Sequence, residues 1–245
     1  MFWTINDSGG APSAYAVDSR GVYIGKIILE GVKNIDFEAI STAPCDDTPN
    51  SDYCLFVGDI GDNVHMYDNR VIYKVKEPTR AELFHSPGFI IRTNKWTKVV
   101  YEYEAEVENS EGFIIDPKTR EVLIITKSHF HTKVYVGKLD TTDDKPVKLR
   151  YSGVNLPLVV TTDATYSPGY YRIGIRTYSH IFLYKNDHKN RPLKDILKDT
   201  PCKISIIPTE QFMGESLALS NDGTVYIHSE LIGKNIYAYD TTLKV

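Results

Sequence analysis

Five short segments, AYAVD, VIYKVK, VYVGKLD, IFLYKND and IYAYD, repeat one pattern of aliphatic and aromatic residues at intervals of about 45 to 60 residues. A similar run precedes each of them: FWTIND, CLFVGD, EVLIITK, RIGIRTY and TVYIHSE. Earlier still come DFEAIS, SEGFIID, TDATYSP and GESLALS, and the remaining runs are GKIILEG, KVVYEYEA, VKLRYSG and KISIIP. Turn-forming stretches such as DSRG, DPKTRE, YSPGY and SNDG separate them, and the richness in Val, Ile, Tyr and Phe suits pleated strands. Four antiparallel strands per unit, repeated radially, predict an all-β fold, a β-propeller of five blades. Only RPLKDILKD (191–199) has helical spacing, with Pro192 suited to a first turn.

The repeat is incomplete at its ends. The first unit begins at its second strand and the last stops after its third, with TTLKV left over. An open ring would expose strand edges. The expectation is therefore either a fragment or irregular closure by Thr241 to Val245, the N-terminal residues or a second chain in an oligomer. With 245 residues, 42% of them hydrophobic, the chain can bury a substantial core as one propeller domain, residues 1–245.

The rim at which innermost strands start and second strands end collects charge. The innermost runs begin with Glu38, Glu111, Asp163 and Glu215, and the second runs end with Asp7, Asp59, Lys127, Arg176 and Glu230. Four carboxylates in register around one axis repel strongly unless a cation or hydrogen-bond donors compensate them. Glu38, Glu111, Asp163 and Glu215 are thus the candidate metal ligands. Oxygen donors without cysteine select Ca²⁺, with Mg²⁺ as the alternative, over Zn²⁺. Asp7, Asp59, Asp62, Asn63 and Glu230 form the candidate substrate-binding rim.

Lys127 and Arg176 have two readings: they neutralise the acids, or they clamp a phosphate or carboxylate beside the metal, which implies a small anionic ligand or substrate. His228 is a candidate general base with them, and His180 lies near the same rim. His129 and His131 in KSHFHTK read as solvated loop residues. A formal net charge of −4 and a pI near 6.0 give no footprint for nonspecific nucleic-acid binding. No apolar run reaches the length of a membrane span. Nucleophile-elbow, phosphate-loop and dinucleotide motifs do not occur.

Cys45 and Cys54 flank the polar loop DDTPNSDY, either as a staple between two strands or as two reduced thiols, and Cys202 stands apart. A disulfide would indicate a secreted or extracellular protein.

The motifs NDSG, DFEAI, GDIGDN followed by VIYKVKEP, EGFIIDP, IRTY and GESLAL together resemble a largely uncharacterised family of secreted β-propeller proteins found in bacteria and some invertebrates. The resemblance covers most of the chain. It implies a propeller and a Cys45–Cys54 disulfide ahead of GDIGDN, and it places an acid at Asp163, but it supplies no activity. The chain departs from the family at its start, where relatives carry a further Ser-Gly-apolar strand before NDSG. More distantly, a ring of acids on one propeller axis is similar to the calcium sites of gluconolactonase- and paraoxonase-type hydrolases and of propeller phytases. Two functions follow as expectations: a metal-dependent hydrolase of esters or phosphoesters, or a non-catalytic, lectin- or toxin-like binding module with a structural calcium.

Overall fold

The computed structural model describes residues 1–139, 145–169, 172–187, 191–206, 213–229 and 235–241. β1 (Phe2–Ile5), β2 (Ser13–Val17) and β3 (Tyr23–Leu29) form the first antiparallel unit. The second is built from β4 (Phe37–Pro44), β5 (Tyr53–Asp59) and β6 (Asn69–Lys76). The chain then leaves for α1 (Arg80–His85) and β7 (Ile90–Thr93), which pairs parallel with β3, before β8 (Trp96–Tyr103) completes the sheet. β9 (Ser110–Asp116), β10 (Glu121–Thr126), β11 (Thr132–Lys138) and β12 (Val147–Leu156) make the third unit. The fourth consists of β13 (Thr161–Tyr166), β14 (Arg172–Thr177), β15 (His180–Lys185) and, after the short α2 (Leu193–Ile196), β16 (Cys202–Ser205). β17 (Gly214–Leu219), β18 (Thr224–Ser229) and β19 (Tyr237–Asp240) form the fifth. The protein is an all-β propeller, and the five repeats map onto these five units. Parallel pairing of β8 with β12 joins the outer edges of units two and three.

Each sheet is covered on both faces, which explains the unbroken apolar runs. Successive strand side chains point to opposite faces. Phe113, Ile115, Val122 and Ile124 pack toward unit two, against Phe56 and Tyr101. Their sequence neighbours Ile114, Leu123 and Ile125 pack toward unit four, against Tyr166, Ile173 and Ile175. Further clusters fill the seams between units one and two and between units four and five. Fully burying one such side chain contributes about 1.5–3 kcal/mol. At the inner edge the strands approach so closely that a Cβ on Gly112 would lie 2.7 Å from the backbone nitrogen of Ala164.

Units five and one meet through the Phe2 and Tyr226 rings, with centroids 4.7 Å apart, and through Ile236 against Gly21. Among the described residues β1 pairs only with β2 and β19 only with β18. Residues 242–245, candidates for closing the ring, lie outside the described residues, as does Glu230.

The helix expected at 191–199 is a single turn at Leu193–Ile196, which lies against the β9–β10 turn and adds Leu193 and Ile196 to the core between units three and four. Helix α1 was not expected. Its signal was available in Thr79 and Glu82, which form a reciprocal capping box. Among the described residues no helix is long and apolar enough to cross a membrane.

Cys45 and Cys54 form a disulfide across the β4–β5 hairpin, and Cys202 is free and exposed. Closing this loop should contribute about 2–3 kcal/mol, chiefly by restricting the unfolded chain. Replacing both cysteines with serine should lower unfolding stability by that amount while leaving the β-sheet circular dichroism spectrum unchanged, as a urea titration would measure.

Candidate functional site

The chemistry at the axis begins with a repeated backbone irregularity. At the head of each innermost strand the register with the second strand shifts by one residue. The pairing passes from Phe37 to Ala39, from Ser110 to Gly112, from Thr161 to Asp163 and from Gly214 to Ser216. The residues left unpaired are Glu38, Glu111, Thr162 and Glu215. Such bulges re-aim a side chain that the regular pleat would send into an interblade core. Glu38, Glu111 and Glu215 thereby converge, with a carboxylate oxygen from each within 4.8 Å of the others. Glu38 also belongs to a second group with Asp7 and Asp36, at the same separation.

Asp163 does not join either group. The bulged position of unit four is Thr162, and Asp163 lies one residue further on, so the pleat turns it to the other side. Its oxygens accept the backbone N–H groups of Ala164 and of Leu217 in unit five, both at 2.7 Å. Burial pushes its pKa up to about 8 against the opposing pull of those two amides and of Arg176. Thr162 donates to the carbonyl of Gly214.

Arg176, expected either to neutralise the acids or to clamp a ligand, is fully buried and donates through Nη1 to the carbonyls of Ser216 and His228 at 2.6 and 2.8 Å. It sits opposite Asp163 in the β13–β14 register. Burial lowers its pKa to about 10, so it remains charged at neutral pH. Arg176, Asp163 and the backbone of His228 therefore stitch blade four to blade five. The ring of His228 lies beside this seam, half-buried.

Lys127 does enter the acid cluster. Its Nζ is 3.0 Å from Glu111 and 3.6 Å from Glu215, and it lies over the ring of Tyr178. The Tyr178 hydroxyl donates to Glu215 at 2.8 Å. Burial disfavours the Lys127 charge, but the two glutamates outweigh it and hold the amine protonated. Neither Asp36 nor Tyr178 was among the candidates read from the sequence. Both lie in recognised motifs: Asp36 two residues before Glu38 in DFEAI, and Tyr178 at the end of IRTY.

GDIGDN forms a layer behind the acids. Asp59 accepts the Asp36 N–H at 2.7 Å, and the N–H groups of Ile60 and Gly61 donate to the Asp36 carbonyl. Gly61 presses against the carboxylates of Asp36 and Glu38, where any Cβ would collide with both. Asp62 is saturated by the Met66 and Tyr67 amides and by the buried Arg70 guanidinium at 3.0 Å, so its role is to hold the loop. Asn63 accepts from Asn109 Nδ2, which also donates to Glu111, while Asn109 Oδ1 takes the Asp62 N–H. On the other flank Asn34 donates to the carbonyls of Asn6 and Asp7 and accepts from Phe37, which seats the exposed Asp7 beside Asp36.

The electrostatics at the axis are unbalanced. Burial first, and then the neighbouring carboxylates, raise the pKa of Asp36 to about 6 and drive Glu38 far upward, so Glu38 holds a proton and shares it with Glu111. A hard divalent cation fits this donor set. Oxygens arranged around Ca²⁺ at its usual bond length are up to about 5 Å apart, and every donor in the two groups is a carboxylate oxygen.

A comparison with a solved structure at a TM-score of 0.50 agrees with the fold. Across 98% of this chain and 78% of its own length, the crystal structure of a protein from Bacteroides uniformis, provisionally assigned as a 6-phosphogluconolactonase, is similar with a TM-score of 0.50 and 10% identity. The propeller of Dos1 aligns with 92% of this chain and 64% of its own, with a TM-score of 0.36 and 11% identity. No protein-family profile and no curated protein sequence matches the chain.

Two outcomes follow. Replacing Arg176 with alanine should cost about 3–5 kcal/mol of unfolding free energy, because it strands buried carbonyls and Asp163; chemical denaturation measures this. The acids should also make the metal-free fold pH-sensitive. A carboxyl group whose folded pKa lies above its unfolded value stabilises the native state at low pH and loses that contribution as pH rises. Melting temperature in chelator should therefore fall between about pH 4 and the Asp36 value of about 6, and continue downward as Glu38 ionises.

Proposed function

We propose that the protein is a secreted, cation-dependent propeller hydrolase acting on an ester or phosphoester, with Ca²⁺ held at the axis by Glu38, Glu111 and Glu215 and with Asp36 and Asp7 beside them. The observation that carries this reading is the meeting of bulge-directed carboxylates from three blades, with Lys127 the amine ion-paired to two of them. The Cys45–Cys54 disulfide supports an oxidising compartment.

When bound, the cation would supply Lewis acidity and lower the pKa of a coordinated water. The protein groups divide the remaining work. Glu111 is oriented by Asn109 and Glu215 by Tyr178, so their oxygens are preorganised. Lys127, with three ammonium protons and two glutamate partners, is the donor at the cluster available to negative charge developing on a substrate oxygen. Arg176 is not available for that role, and His228 takes part through its carbonyl. The provisional assignment of the Bacteroides protein names a lactone, an internal ester, as one substrate class to test.

A second reading, a structural cation beneath a recognition surface, draws support from Lys127 already bridging Glu111 and Glu215 and from the burial of Arg176. Calcium at about 100 times its dissociation constant should stabilise the fold by about 2.7 kcal/mol, and Glu111→Gln should abolish most of that gain. Calcium-loaded protein is then screened against carboxylic esters, lactones, phosphomonoesters and phosphodiesters. Turnover that falls about 10²-fold or more in Lys127→Met with calcium still bound supports the hydrolase. Calcium binding without turnover of any substrate favours the recognition reading, and absence of calcium binding overturns both.

A further inference from the structure

A cavity of about 330 Å³ opens at the same end of blade two, walled by Ile35, Asp59, Gly61, Met66, Tyr67, Asp68, Asn69 and Val71. Gly61 separates it from Asp36 and Glu38, so it lies next to the axial acids and is distinct from them. Its wall combines two chemistries. The side chains of Ile35, Met66 and Tyr67 are exposed, with Met66 at 72%, which is unusual for apolar groups gathered around one opening. The only ionisable carboxylates in the wall are Asp59 and Asp68, and the wall contains no lysine, arginine or histidine.

Asp59 is the informative member. Its relative exposure is 7%; Oδ1 accepts the Asp36 N–H, the Ile35 backbone N–H also favours the carboxylate, and Oδ2 is buried with no partner at hydrogen-bond distance among the described residues. A buried carboxylate oxygen in that condition calls for a donor or a positive charge nearby. Arg70, whose charge is felt at Asp59, does not supply the donor. Its amino groups are committed to Asp62 and to the carbonyls of Tyr67, Asn69 and Glu108, and its buried Nε, itself without a hydrogen-bond partner among the described residues, does not reach Oδ2. A bare metal ion is a poor occupant, because Asp59 and Asp68 belong to neither group of acids close enough to hold one. An apolar wall with two acids and no base selects an organic cation, its ammonium directed at the carboxylates and its hydrocarbon against Met66 and Tyr67.

We infer that this cavity is a binding site for a small organic ammonium ion, recognised by Asp59 and Asp68 and independent of the axial metal. The probe is benzylamine, with benzyl alcohol and benzoate as neutral and anionic counterparts of the same size, followed by ligand-observed NMR or calorimetry on the intact protein. Benzylamine should bind saturably in chelator and in calcium alike, and both counterparts should bind at least about tenfold more weakly, the order expected for a lost charge-assisted contact. Asp59→Asn retains an oxygen for the Asp36 N–H and should weaken benzylamine about tenfold. Asp68→Asn changes an exposed side chain and should weaken it as well; it decides the question alone if Asp59→Asn does not fold. Equal binding of the three probes, or benzylamine binding unchanged in the folded variants, overturns the inference. Benzylamine binding that calcium abolishes would place the probe on the axial acids and also overturns it, without bearing on whether calcium itself binds there.

Discussion

The convergence of like charges on the propeller axis is the constraint around which the surrounding structure is organised. A regular antiparallel pair would turn Glu38, Glu111 and Glu215 into the seams between blades, where aliphatic side chains from the two sheets interlock. The one-residue bulge at the head of each innermost strand prevents this and aims them inward. Once there, the carboxylates suppress one another's ionisation, and Lys127 is drawn in as a partly buried counter-charge.

Most of the polar architecture nearby keeps that arrangement in place. These groups are Asn34, Asp59, Asn63 and Asn109. They tie together the loops from units one, two and three, on which the acids or their immediate neighbours are carried. Gly61 leaves room for Asp36 and Glu38 to lie against the backbone. The acid-rich GDIGDN motif is thus largely a support: Asp62 is an internal anchor for its own loop through Arg70, and Asp59 caps the backbone at Asp36.

Blade four is the exception to the ring of acids and shows why. Its bulged residue is Thr162, and its acid and its arginine are both turned toward blade five. There they satisfy backbone groups at a seam whose apolar cluster, Ile181, Leu183, Leu217, Leu219 and their neighbours, lies further out. Asp163 and Arg176 thus act as an interblade clasp through the backbone groups of blade five.

The repeat, the all-β class and the order of strands within a blade were determined by the sequence, because strands covered on both faces must be apolar at nearly every position and turn residues must separate them. The convergence of Glu38, Glu111 and Glu215 was legible for a related reason: an acid at the head of an otherwise apolar innermost strand recurs at matching places. The difference between Asp163 and Thr162 was decided only by the tertiary structure, since a bulge shifts the register by one residue and reverses which face a side chain meets, while leaving the pattern of residue types almost unchanged. The same holds for Arg176. Whether a guanidinium faces solvent, a ligand or the carbonyls of the next blade depends on how two sheets pack, and that contact joins residues 40 and 52 positions apart in the chain.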